Sequence, residues 1–453
     1  MSEPLRVAIV GGGIAGLTTA LAFHERIVAE SESDGRALNL QVTLFEGAQK
    51  FAEIGAGVAF GPNAQKALRL IGCGNALDRV AGPSGSDSSL WFKFRVGEAS
   101  SEHATSSEGT HFATISGDDA ARGSCHRADF LDELIRQLPK TIAARFNHRV
   151  SRYSSNSTTG VTTLYFTNPE LDPFEADLVV GSDGIKSSVR KSMYETRTDL
   201  SVDQQQAVYS EWIAWRGLIT KDQFYTAFQG QEDSAGFSDK MMHCGHERHI
   251  LHFPVRNGEL INIVGFVRDP EHDKLRDHTG PWSESRPAVE MMRDYAAFNV
   301  PCRKLLESIE NPSIWGIFKL PLLDCVVDGR VVLIGDAAHA TTPHQGAGAG
   351  QAVEDALFLS RLIATRFVTE ARNRNEAIDR ALKVYVDTRH ARAQRVQQTS
   401  DEAGKLYEFM DPVARDNLEQ MRVNLENRMR WIWEYDVEAQ VERAVQTLRE
   451  ELS

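Results

Sequence analysis

Residues 7–16 read VAIVGGGIAG, and this stretch restricts the chain more than any other. Val7, Ala8, Ile9 and Val10 form a short apolar run that suits a strand buried in a parallel sheet. Gly11, Gly13 and Gly16 follow as G-x-G-x-x-G, and helix formers run on from Leu17 to Phe23. Gly11 permits the tight turn out of the strand. Gly13 leaves room for a diphosphate to approach backbone, and Gly16 lets helix and strand pack closely. The N–H groups of Ile14 and Ala15 would open the helix, where the dipole favours an anion.

A glycine triplet alone is weak evidence, so its context decides. A second apolar run, Val42-Thr43-Leu44-Phe45, ends in Glu46, whose carboxylate can take both hydroxyls of a ribose. Thirty positions separate Gly16 from Glu46, against about 20 in the usual fingerprint. The polar stretch from Ala29 to Gly35 accounts for the excess if it is a surface insertion between helix and strand, within residues 26–39. The pattern points to an ADP-containing dinucleotide and leaves FAD and NAD open.

At 453 residues the chain has room for two or three domains. A net charge of −13 without a long basic run argues against nucleic acid or an anionic membrane as partner. The five cysteines show no C-x-x-C, so a disulfide frame or metal site is not expected; reduced thiols fit a cytoplasmic protein. Neither a secretory leader nor an uninterrupted apolar stretch of membrane-spanning length is expected.

Further along, residues 51–63 are rich in glycine, including Gly57, and read either as a plain loop or as a backbone facing the cofactor. Residues 82–124 are rich in Ser, Gly, Asp and Thr around a short strand at 90–96. Arg127 begins a helix, where a cation opposes the dipole and calls for an anionic partner unless it is merely solvated. Residues 177–184 are a second buried strand ending in Gly181-Ser182-Asp183-Gly184, so Asp183 falls where α/β sheets place ligands. From about 200 to 320 alternating strands dominate, at 212–218, 249–255 and 260–268, which suggests an inserted β-rich domain. A third buried strand then ends in Gly335-Asp336-Ala337-Ala338-His339, and glycines at 346, 348 and 350 feed a helix at 351–363. The remainder, from 370 to 452, is helical.

Three such corners in this order resemble the class A aromatic flavoprotein monooxygenases, the group of para-hydroxybenzoate hydroxylase, over about residues 5–400. Within that family the chain is similar to the salicylate hydroxylases through CHRADFLDEL at 125–134, GSDGIKSSVR at 181–190, HILHFPVRN at 249–257, residues 330–350, and the RVQQTS and KLYE stretches at 395–400 and 405–408. Fungal phenol hydroxylases of the orcinaldehyde type share much of this, including Arg216-Gly217-Leu218.

The resemblance implies an α/β fold: a Rossmann-like FAD-binding domain from 1–81, 125–198 and 322–390, a β-rich substrate domain from 82–124 and 199–321, and a helical segment at 391–453. It implies that Gly11, Gly13 and Gly16 hold the diphosphate of FAD, Glu46 its ribose, Arg127 its length and Asp336 its ribityl chain. Gly346, Gly348 and Ala349 would place N–H groups at the flavin edge, and Asp183 would serve FAD and a transient NADH or NADPH. Reduced FAD with O2 would deliver electrophilic oxygen, so the substrate should be a phenol. Salicylate leads, hydroxylated with loss of CO2 to catechol; the alternative is another phenol or hydroxybenzoate hydroxylated without loss of CO2, and a flavin-binding protein without turnover is the third reading. His344 is the candidate base, His249 a substrate-facing histidine and Arg216 a partner for carboxylate or phenolate. Met242, Leu251, Phe253 and Pro343 would supply apolar walls. Each polar residue has a plainer alternative: His344 as a cap beside proline, His249 and Arg216 as strand residues. A monomer or homodimer is expected.

Overall fold

The computed structural model describes residues 3–51, 57–81, 88–98, 109–197, 199–227, 240–271 and 282–453. The start of the second glycine-rich segment, at 52–56, and residues 82–87 and 99–108 of the polar stretch lie outside the described residues.

A six-stranded sheet carries the three glycine-bearing corners. Its order is Val327–Asp328, Val331–Leu333, Leu178–Gly181, Leu5–Val10, Leu40–Phe45, Ala143–Arg145, all parallel except the first. The apolar runs are buried on both faces, as a sheet covered by helices requires. Register aligns the strand ends: Val10 lies opposite Phe45 and Gly181, and Gly181 opposite Leu333. The ends are then tied by backbone hydrogen bonds. Gly11 N–H donates to Phe45 O at 2.8 Å, Ser182 N–H to Val10 O at 2.8 Å, and Ile334 N–H to Gly181 O at 3.0 Å. The loops leaving at Gly11, Ser182 and Gly335 therefore emerge side by side at the carboxyl edge of the sheet.

The stretch expected to be a surface insertion is helix instead. One helix runs Ile14–Asp34 and stops at Gly35, whose φ of 72° gives a left-handed cap that returns its N–H to Ser31 O. Arg26 and Glu30 pair one turn apart on it. Glu32 and Ser33 are exposed near the end of the helix, and the loop is confined to the few residues before Leu40.

An eight-stranded sheet forms the second layer, in the order Ser283–Ser285, Ser313–Lys319, Val208–Thr220, Leu260–Arg268, Arg248–Val255, Met241–Gly245, Leu90–Val96, His111–Ser116. The polar stretch around 82–124 thus contributes two strands to this sheet. Side chains directly opposite share a face, so the register can be read as rows. Arg216, Val264, Leu251 and Met242 form one row, and Ala214, Phe266, His249 and Cys244 the next row on the same face.

The helix Arg374–Tyr407 joins the two layers. Ile378, Ala381 and Leu382 pack in the core under the parallel sheet, whereas Val396, Ala403 and Leu406 pack with Phe94 and Met242 of the second sheet. It runs unbroken through the boundary expected at 390/391, because no glycine or proline interrupts it there. Arg389 on this helix pairs with buried Glu354 and Asp355 of the helix Gly348–Ile363. Asp355 also accepts the Gly335 N–H at 3.0 Å and contacts His339 Nε2 at 2.6 Å. The third corner is in this way fastened to both helices.

Candidate active site

A cavity of about 440 Å³ lies between the carboxyl edge of the parallel sheet and the face of the second sheet. One wall comes from the glycine corners: Gly13, Ile14, Ala15, Asp336, Gly346, Gly348 and Ala349 line it, with Arg127 from the start of helix Arg127–Gln137. The opposite wall holds Arg216, Met242, Leu251 and Phe253, and Pro343 and His344 close one end.

The glycines earn their places in different ways. A Cβ on Gly13 would meet nothing within 4 Å, so that position opens onto the cavity. A Cβ on Gly16 would stand 1.8 Å from Gly11 O, and one on Gly11 2.5 Å from Ser182 O, with Gly11 at a φ of 103°. These two set the approach of helix to strand and do not line the cavity. Gly57 lines it, but its space is taken by the Phe253 ring, which a Cβ would meet at 2.2 Å. It admits a wall residue as well as bare backbone. Helix Gly348–Ile363 presents its N-terminal N–H groups beside Gly346, whose φ of 62° makes the turn.

Glu46 ends its strand beside the first corner, accepting the Gly12 N–H at 2.7 Å and the Ala48 N–H at 2.7 Å. It does not reach the cavity wall. Asp183 does not line the cavity either. Its carboxylate accepts the Ser188 N–H at 2.8 Å, the Val189 N–H at 3.2 Å and the Ser187 hydroxyl. The start of helix Ser188–Thr196 needs acceptors for its orphan N–H groups, and Asp183 supplies one.

His344 sits in a short turn, Pro343–Gln345, and no side-chain cap forms there. It is 5% exposed, and neither ring nitrogen has a hydrogen-bond partner among the described residues. Trp212 and Phe266 flank the ring at centroid distances of 5.0 and 4.9 Å. Gly404 leaves the space the ring needs, since a Cβ there would come 2.6 Å from Nε2. Burial, reinforced by His249, Lys319 and Arg428, holds the imidazole well below its ordinary value. It is neutral at pH 7.

His249, expected to face the substrate, does not line the cavity. It stands one row deeper on the same sheet face, fully buried, 5.4 Å from the His344 ring centroid. Its Nδ1 contacts Glu408 Oε1 at 2.9 Å. Burial pushes its imidazole down to about 3.

Arg216 faces the cavity with its guanidinium 4.7 Å over the Trp315 ring, and its Nε lacks a partner among the described residues. Burial, and then the charge of Arg127, lower it to about 10, so it stays cationic at neutral pH. A desolvated cation without a counter-charge favours an anionic ligand.

Spacing did not single out the aromatic wall of Trp282, Trp315 and Phe318. Tryptophans on strands read as sheet core, and only the register shows which face they take. Trp282 stacks on Phe318 at 3.8 Å, with the Lys186 ammonium 4.0 Å from the Trp282 centroid.

Comparison with known proteins agrees with this geometry. The family described as FAD binding domain matches residues 136–400. Salicylate hydroxylase of Pseudomonas putida is 38% identical over 443 residues, covering 97% of this chain and 94% of that protein. The 6-methylsalicylate 1-monooxygenase atA of Aspergillus terreus is 33% identical, covering 98% of this chain and 92% of its own. A solved salicylate hydroxylase substrate complex superposes with a TM-score of 0.82 at 33% identity, over 98% of both chains.

Proposed function

Because the chain belongs to the class A FAD-dependent aromatic monooxygenases, we propose that it hydroxylates salicylate at the carboxyl-bearing carbon, with O2 and NADH or NADPH, releasing catechol and CO2. The residues present fit FAD. Gly13 leaves open space at the positive end of helix Ile14–Asp34, Arg127 supplies positive charge, and helix Gly348–Ile363 offers a second N-terminus on the same wall. Gly13, Arg127, Asp336 and the Gly346–Ala349 turn would hold it. Bound there, FAD supplies electrophilic oxygen from O2 after reduction by the nicotinamide.

The observation that carries the substrate assignment is that Arg216 and His344 line one aromatic-walled cavity. The guanidinium answers a carboxylate, and the neutral imidazole takes the proton of a phenol. Loss of that proton makes the ring electron-rich and able to attack oxygen. Met242, Leu251, Phe253 and Pro343 exclude water and hold the ring plane. The attacked carbon becomes tetrahedral beside a dienone carbonyl, which accepts the electron pair left when CO2 departs. Salicylate, O2, NADH and two protons then balance catechol, CO2, NAD+ and water.

Aerobic incubation with salicylate and NADH, followed by chromatography and mass spectrometry, tests the reading. Catechol is the expected product. A dihydroxybenzoate would mean hydroxylation without loss of CO2, and peroxide alone would reduce salicylate to an effector. Arg216→Gln keeps the shape and removes the charge. Its KM for salicylate should rise about 10- to 100-fold, as for a lost charge-assisted hydrogen bond, with kcat less affected. An unchanged KM would remove Arg216 from carboxylate recognition.

A further inference from the structure

The KLYE stretch at 405–408 belongs to no cofactor corner, yet its last residue is among the most buried acids of the chain. Glu408 is 0% exposed and caps the C-terminal end of helix Arg374–Tyr407. That end carries the negative pole of the helix dipole, so a carboxylate there has no help from the helix. Its oxygens meet two groups brought from distant strands. Trp212 donates its indole N–H to Oε2 at 2.8 Å, and His249 Nδ1 lies 2.9 Å from Oε1. Nε2 of His249, on the other side of the ring, is buried without a hydrogen-bond partner among the described residues, as are both nitrogens of His344.

We propose that Glu408 is a positioning residue for the reaction, setting through His249 Nδ1 the tautomer of His249 and with it the capacity of the histidine pair to take up the proton of the phenol. This rests on the reading of His344 as the base. With Glu408 ionised, His249 holds its proton on Nδ1 and leaves Nε2 as an acceptor. The phenolic O–H bond breaks and its proton goes to His344, while the Glu408–His249 pair places one negative charge and the Nε2 lone pair beside the imidazolium that forms, at a ring centroid distance of 5.4 Å. With Glu408 already protonated, that proton is donated to Nδ1, Nε2 carries hydrogen, and no negative charge supports the imidazolium.

Burial drives the Glu408 carboxyl up to about 8, against the indole donation and the nearby charges of Arg268 and Arg248, and with that of Glu247. Cys244 and Tyr295, the other titratable groups facing it from neighbouring elements, are pushed up by burial and stay neutral. Lys319 and Arg428 face His344 and disfavour its cationic form. His344 is therefore the weaker base at acid pH and becomes the stronger one as pH rises through the Glu408 value.

Glu408→Gln fixes the uncharged, acid-limb state. Its carbonyl must accept from Trp212, so its amide N–H donates to Nδ1 and Nε2 keeps its hydrogen at every pH. The test uses the FAD-loaded protein in two arms. Nitrogen-15 NMR of labelled histidines, without salicylate, should show wild-type His249 moving from the Nε2–H to the Nδ1–H tautomer as pH rises through about 8, and no such change in Glu408→Gln. Salicylate turnover should rise about tenfold across that step in the wild type and stay at the acid-limb level in the variant, with KM little changed. Trp212→Phe, which removes the indole donor, should move the step to higher pH. Should the wild type fail to turn over salicylate, the functional reading falls while the NMR arm still decides the positioning role. An Nδ1–H tautomer in Glu408→Gln, an unmoved step in Trp212→Phe, or the same pH step in all three proteins would overturn the proposal.

Discussion

Gly16→Ala is expected to give a protein that does not retain FAD. The added methyl would sit 1.8 Å from Gly11 O and 3.0 Å from Ser182 Oγ. Gly11 cannot give way, since it already holds a φ of 103° with Ser182 backbone against it. The first turn of helix Ile14–Asp34 must therefore move off its strand, at a cost of about 1–3 kcal/mol or more. The register that ties Val10 to Phe45 and Gly181 is then disturbed at its end. Gly13→Ala provides the contrast. Its methyl meets no protein atom, so the apoprotein should melt with the wild type while FAD binds more weakly. Absorbance near the flavin bands, read beside thermal melting, separates the two. A yellow Gly16→Ala of wild-type stability would show that the close packing at that corner is dispensable.

His344→Ala should keep FAD and lose coupling. The side chain touches no glycine corner that grips the diphosphate, so the purified protein stays yellow. A phenol that keeps its proton makes a poor nucleophile, and kcat/KM for product should fall about 10²- to 10³-fold. NADH oxidation stimulated by salicylate should fall less, the difference appearing as hydrogen peroxide. The alternative of a capping histidine has no support in the geometry, because the ring makes no cap and neither nitrogen has a partner among the described residues. Product per NADH equal to the wild type would take His344 out of the chemistry.

The parallel sheet is legible because three adjacent strands, Val331–Leu333, Leu178–Gly181 and Leu5–Val10, are apolar runs that lead into glycine. Polarity at 29–34 suggests a loop and hides the length of helix Ile14–Asp34, whose stop is the left-handed Gly35. The place of Asp183 at a strand end points toward a cofactor. That place does not reveal the N–H groups of Ser188 and Val189 that claim its oxygens. For His249, alternation gives the strand and its face, and only register against Phe266 gives the row. Glu408 lies 159 positions from His249 and 196 from Trp212, and no spacing rule reaches that far. Its motif was visible as a likeness, and its role became visible only once helix and strands were assembled.

On the proposed function, the cavity that Arg216 and His344 line beside the glycine corners takes FAD and a phenolic carboxylate together, so that oxygen enters at the carbon that loses CO2. Salicylate labelled with carbon-14 in its carboxyl group, supplied with NADH and air, tests this most directly. The account predicts labelled CO2 in about equal amount to the NADH consumed, with catechol as the unlabelled product. Label retained on a hydroxylated ring, or NADH consumed with peroxide and no labelled gas, would contradict it.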